Sequence, residues 1–148
     1  QKESVWNAPG KFHPPAKTLY TVHEGYNYSD GRCAGLPYLC WPTIAPSSIK
    51  YYPEKGAIPG WGNSRLVTSL KNGALYRMPL SADKKQIQGY TEVLFHTPNR
   101  YRVARVSPDG KSIYIATDTG GPVMNMSGQP GKNLQNPGAI IRIDYTGK

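Results

Sequence analysis

At 148 residues the chain is one domain's worth, and with 38% hydrophobic content it holds no stretch near the ~20 apolar residues that a membrane-crossing helix requires. Net charge is +9, from 18 Lys+Arg against 9 Asp+Glu, which admits nucleic acid, anionic membranes or small anions as partners. The cations are scattered, with no run longer than Lys84-Lys85 and no recognition-helix or RNP-type pattern, so direct nucleic-acid binding is set aside.

The chain opens Gln1-Lys2-Glu3-Ser4, without a methionine or an apolar leader, and is expected to start after a cut or to be a piece of something longer. The first 40 residues are dense in turn formers: Pro9-Gly10, Pro14-Pro15 and Ser29-Asp30-Gly31. Within them Thr18 to Val22 is predicted as a strand. Cys33 and Cys40 have no nearby His and do not make a four-ligand zinc site. Their short loop either closes as a disulfide, which implies an oxidising compartment, or holds two free buried thiols.

From Ser47 the apolar residues fall in short runs between turn signals, the all-β pattern. Strands are predicted at Ser48 to Tyr52, Arg65 to Leu70 and Ala74 to Leu80. The turn Lys71-Asn72-Gly73 joins the last two, since Asn-Gly between β runs is a strong hairpin signal. A polar stretch, Ser81 to Gly89, leads to a strand at Glu92 to Phe95. The cycle then restarts with Tyr101 to Val106, the turn Ser107-Pro-Asp-Gly110, and Ser112 to Thr117. A Gly-rich loop from Asp118 to Gly138 precedes a last strand at Ala139 to Tyr145. A repeat of about 45 residues resembles consecutive propeller blades, and at ~40–50 residues per blade the chain holds about three at most.

Arg100 and Arg102 stand two apart at the start of a predicted strand, where i and i+2 share a face. Two adjacent guanidiniums repel unless an anion sits before them, and Arg is a preferred fork for carboxylate or phosphate. The pair points to a polyanionic small ligand; the alternative is two solvated arginines on an edge strand. The sequons Asn27-Tyr-Ser29 and Asn125-Met-Ser127 are triplets that arise often by chance.

Five blocks occur in a characteristic order: Tyr38-Leu-Cys-Trp-Pro-Thr-Ile-Ala-Pro-Ser-Ser48, Ser69-Leu-Lys-Asn-Gly73, Asn99-Arg-Tyr-Arg102, Ser107-Pro-Asp-Gly110 and Asn136-Pro-Gly-Ala139. Together they resemble the C-terminal third of the soluble PQQ-dependent glucose dehydrogenases, the glucose/sorbosone dehydrogenase family, over essentially the whole chain. The resemblance implies an all-β, six-bladed β-propeller of which this chain covers about two to three blades. Residues 1–46 would be an irregular lead-in with a disulfide loop, 47–98 one blade, and 99–148 a last, incomplete blade. It further implies a periplasmic or secreted homodimer with calcium. Such a protein oxidises the C1 hydroxyl of an aldose to a lactone, with pyrroloquinoline quinone (PQQ), a planar tricarboxylate, as hydride acceptor.

By match to the family's motifs, Lys71, Arg100 and Arg102 are expected to hold cofactor carboxylates, with Thr43 adding a hydroxyl. Tyr38 and Trp41 would wall the quinone and the sugar. Cys33 and Cys40 match the family's short-loop disulfide, and Glu3 aligns with a calcium ligand. The family's catalytic histidine lies upstream, so no catalytic residue is expected in this segment. His13, His23 and His96 are read as surface or loop residues. Taken alone, Lys71 reads as a hairpin lysine, Trp41 as core and Thr43 as a turn residue. The competing functional class is a non-enzymatic propeller-type binding module for an acidic saccharide or a protein partner.

Overall fold

A computed structural model describes residue 10 and residues 13–29, 31–33 and 35–147. The described residues are all-β apart from two short 3-10 turns, Gly31–Cys33 and Pro37–Cys40. Among the described residues no helix is long and apolar enough to cross a membrane.

Four antiparallel strands form the first sheet in spatial order β1 (Pro46–Tyr52), β2 (Ser64–Ser69), β3 (Leu75–Pro79) and β4 (Glu92–Leu94). The second sheet has the order β5 (Tyr101–Val106), β6 (Ser112–Thr117) and β9 (Ile140–Asp144). Between β6 and β9 a two-stranded ribbon, β7 (Val123–Met124) with β8 (Pro130–Gly131), interrupts the Gly-rich loop. The strands from β1 through β6, and β9, arise where the runs and turns of the sequence place them. The predicted strand at Thr18 to Val22 does not form. Among the described residues its backbone bonds are Tyr20 N–H to Pro42 O (2.9 Å) and Ile44 N–H to Leu19 O (3.2 Å), too few for a ladder.

Because side chains alternate across a strand, β2 and β3 feed two cores. Leu66 and Leu75 face the second sheet and pack with Tyr52, Tyr101, Ala104, Ile113 and Ile115. Val67, Tyr76 and Met78 face the other way and pack with Ile44, Ala74, Leu19 and Ile87. This explains why β2 and β3 are buried nearly end to end. The second core is incompletely covered. A groove of about 520 Å³ opens on it, lined by Leu19, Ile49, Val67, Met78 and Ile87 among others.

Polar groups stitch the sheets together. The Ser47 hydroxyl donates to Tyr101 O (2.6 Å), and the Ser48 hydroxyl accepts from Ala104 N–H (3.3 Å). The buried Tyr52 hydroxyl donates to Gly110 O in the β5–β6 turn (2.7 Å) and accepts from Ile58 N–H (2.8 Å).

Candidate functional site

Three separate stretches converge at one end of the sheets: the segment after the second 3-10 turn, the β2–β3 turn, and the start of β5. Cys33 and Cys40 form a disulfide across the two 3-10 turns. This resolves the alternative of free thiols. The bridge closes a short loop, leaving Tyr38 half-exposed beside the sheets. Chain direction after it is set by Thr43, whose hydroxyl accepts from Ala45 N–H (3.0 Å), and by Leu70 N–H donating to Ala45 O (3.1 Å). Residues 38–45 are thereby laid against the β2–β3 turn.

That turn carries Lys71. Its ammonium donates to Trp41 O (2.6 Å), and its own carbonyl accepts from Met124 N–H (2.6 Å) in β7. Burial lowers the Lys71 pKa below its ordinary value, and the positive charge of Arg32 lowers it further. Gly73 follows with φ 47°, and a Cβ there would stand 2.3 Å from Asn99 O and 2.4 Å from Thr97 O. Only glycine lets the turn come that close to the residues preceding Arg100.

Arg100 and Arg102 flank Tyr101, where a β-bulge shifts the register between Tyr101 and Val103. Such a bulge re-aims the side chains around it. Both arginines reach Asp118, at the end of β6. Arg100 Nε donates to Asp118 Oδ2 (3.1 Å), while Arg102 donates from Nε to Oδ1 and from Nη2 to Oδ2, both at 2.7 Å. The anion demanded by the arginine pair is thus present within the chain. Burial pushes the Asp118 acid up, but the hydrogen bonds and charges of Arg102 and Arg100 outweigh it and hold the carboxyl below the usual aspartate range. Neither arginine fits the reading of a freely solvated residue, although Arg102 remains 55% exposed.

Tyr38, Thr43, Lys71 and Arg100 line one cavity of about 150 Å³, together with Leu39, Ala45 and Leu70. Four of the residues expected to meet cofactor or substrate therefore share one surface, and Arg102 joins Arg100 through Asp118. Trp41 is placed differently. Its carbonyl holds Lys71, its indole N–H donates to Tyr28 O (2.9 Å), and its ring meets Tyr28 edge-on at 5.6 Å. It is not among the side chains lining the cavity. The Thr43 hydroxyl also makes the local turn bond, so its structural and ligand-facing readings coexist.

His13 and His23 are exposed, as expected; the His96 loop position also holds, but its Nε2 is buried and has no hydrogen-bond partner. None of the three lines the cavity. Glu3 lies outside the described residues. Among those described, no three His, Cys, Asp or Glu side chains are grouped to hold a metal ion. Sequence reasoning missed Asp118, Gly121 and Pro122, which surround the Arg100 guanidinium. Their only trace in the sequence is an acid at the head of a Gly-rich loop, a pattern with no specificity of its own.

The profile of the Glucose / Sorbosone dehydrogenase family matches residues 18–125. The chain is 44% identical to "Quinoprotein glucose dehydrogenase B" of Acinetobacter calcoaceticus over 148 residues, covering 99% of this chain and 31% of that protein. The chain thus spans about a third of the length of the curated relative it matches.

Proposed function

The chain belongs to the glucose/sorbosone dehydrogenase family, and on that premise we propose that it is the cofactor-carboxylate-holding portion of a PQQ-dependent sugar dehydrogenase. The observation that carries this reading is the shared cavity of Tyr38, Thr43, Lys71 and Arg100, drawn from three separate stretches of chain. The donor set suits the group: ammonium, guanidinium and hydroxyl donors are what a planar tricarboxylate requires. Lys71 uses one N–H on Trp41 O and has two left for a ligand. Arg100, backed by Arg102, supplies a second cationic arm. Tyr38 offers an aromatic edge beside them, suited to a flat ring or a sugar face.

When bound, PQQ supplies the hydride-accepting quinone. Lys71, Arg100 and Arg102 would neutralise its carboxylates, Thr43 would add a hydroxyl, and Tyr38 would stand beside its rings. Trp41 would contribute to the sugar wall from beside the cavity. The base that takes the aldose hydroxyl proton lies in the remainder of the protein. The open groove on the first sheet supports a place for that remainder, as further blades of the same propeller. The disulfide supports an oxidising location, periplasmic or secreted. Calcium and a homodimeric assembly follow from the family resemblance.

The test is titration of the complete protein with PQQ and calcium, followed by glucose-driven dye reduction. An absorbance shift of PQQ that disappears in Lys71→Ala or Arg100→Ala supports the proposal. Tight binding of an acidic saccharide such as heparin, with no response to PQQ, would support a binding module instead. Robust turnover by residues 1–148 alone would contradict the division of roles.

A further inference from the structure

The Arg100–Asp118–Arg102 triad is built more tightly than a surface ion pair. The Asp118 side chain is 14% exposed and the Arg100 side chain 18%. Asp118 is fixed from both directions along the backbone: its N–H donates to Arg100 O (3.0 Å), and its carbonyl accepts from Gly138 N–H (2.9 Å). Arg100 Nη1 donates to Pro122 O (2.5 Å), and the guanidinium lies so close to Gly121 that an added Cβ would stand 2.9 Å from Nε. The loop after β6 therefore forms a collar around Arg100. It is tied to the Lys71 turn as well, through Met124 N–H to Lys71 O.

The collar decides which donors remain. Arg100 commits Nε to Asp118 and Nη1 to Pro122; Arg102 commits Nε and Nη2 to Asp118. Among the described hydrogen bonds, Arg100 Nη2 and Arg102 Nη1 are left over. The carboxylate also screens the mutual repulsion of the guanidiniums, so both can stay in place before a ligand arrives. Such pre-organisation lowers the ordering cost of binding.

We propose that Asp118 is a positioning residue, which aims the uncommitted guanidinium edges of Arg100 and Arg102 at the cofactor's carboxylates. This rests on the PQQ-binding function proposed above. The proposal makes a prediction opposite in sign to simple electrostatics. Asp118→Asn removes a negative charge beside an anion site, and charge alone would tighten binding of a tricarboxylate. If Asp118 acts by positioning, the same substitution weakens binding, because an amide presents one N–H edge to the guanidiniums and releases them.

The experiment is PQQ titration of the complete, calcium-loaded protein at fixed ionic strength, read by absorbance, alongside melting of the PQQ-free form. The expected result is a rise in Kd of tenfold or more for Asp118→Asn. Asp118→Glu keeps the charge but moves the carboxylate outward, and is expected to raise Kd at least threefold; it serves if the Asn variant fails to fold. In an Arg102→Gln background the further loss on Asp118→Asn should shrink below threefold, since coupled residues are non-additive. Kd unchanged or tighter in both Asp118 variants overturns the proposal, and a lowered melting temperature with unchanged Kd marks a purely structural residue and overturns it too. If the unsubstituted protein does not bind PQQ, the proposed function fails first and takes this inference with it. If it binds and only the Asp118 variants behave normally, this inference alone fails.

Discussion

Lys71 carries a pH dependence of definite sign. Burial and the Arg32 charge lower its pKa, so the folded protein holds that proton less firmly than the unfolded chain does. Below the lowered pKa the charged lysine is a burden on the ligand-free fold, and the burden lifts as pH rises between that value and the ordinary 10.5. Binding of an anion runs the other way, since a carboxylate favours the protonated amine. PQQ affinity is expected to fall as pH climbs through that same window, before an ordinary lysine would titrate. Arginine stays protonated throughout. In Lys71→Arg the alkaline fall in affinity should disappear from this window, whatever the absolute Kd. Affinity measured against pH for both proteins checks this, and a fall at the same pH in both would assign it to another group. Asp118 acts at the opposite end. Its lowered pKa means the stability it contributes is present above the ordinary aspartate value and is lost as pH falls through the folded one. The difference in stability between the unsubstituted protein and Asp118→Asn should therefore narrow in strong acid.

Among the elements, the two sheets are joined by Tyr52. Its hydroxyl satisfies Gly110 O and Ile58 N–H inside the core, where water does not replace it. Tyr52→Phe keeps the ring packing and orphans both groups, and an orphaned buried polar group costs about 1–3 kcal/mol. Chemical denaturation should show that loss without a change in slope. The β2–β3 turn makes a sharper demand. Gly73→Ala adds a Cβ against the backbone of residues 97–99 and forces alanine to φ 47°. Left-handed strain of roughly 1–2 kcal/mol and overpacking of roughly 1–3 kcal/mol both apply. The substitution should also weaken PQQ binding, because the displaced backbone leads directly into Arg100. A variant with lowered stability and unchanged affinity would separate the turn from the site. These elements were legible where local chemistry was strong: alternation and the Ser-Pro-Asp-Gly turn define β5 and β6, and Asn72-Gly73 defines the β2–β3 hairpin. Thr18 to Val22 has strand-like residues but no partner strand, and pairing rather than propensity makes a strand. The ribbon β7–β8 has two residues a side, too short for a period-2 signal. Arg100 and Arg102 stood out in the sequence by their spacing of two, and both, with Lys71, by motif resemblance, whereas Asp118 was hidden because its contacts with them reach across 16 to 18 residues.

For the molecule as a whole, the open groove is the decisive feature. The face of the first sheet turned away from the second carries Val67 and Met78 beneath a cavity of about 520 Å³, which Ile87 of the β3–β4 loop also lines, and Ile49 on its wall is 65% exposed. The relative's additional length, more than twice this chain, is ample for further sheets stacked on that face. The two states of Ile49 predict different mutational responses. On a truly solvent-facing position, Ile49→Asp should change stability by no more than about 0.5 kcal/mol. Beneath a docked sheet it would bury an uncompensated carboxylate, a loss of roughly 3–5 kcal/mol. The larger loss is expected in the complete protein, read by chemical denaturation. The exposed Lys85, in the loop between β3 and β4 and absent from the groove lining, provides the control: Lys85→Asp should be near neutral. Near-neutral behaviour at both positions would mean that the groove stays open to water, and the stacked-sheet architecture proposed for the whole protein would then have to be given up.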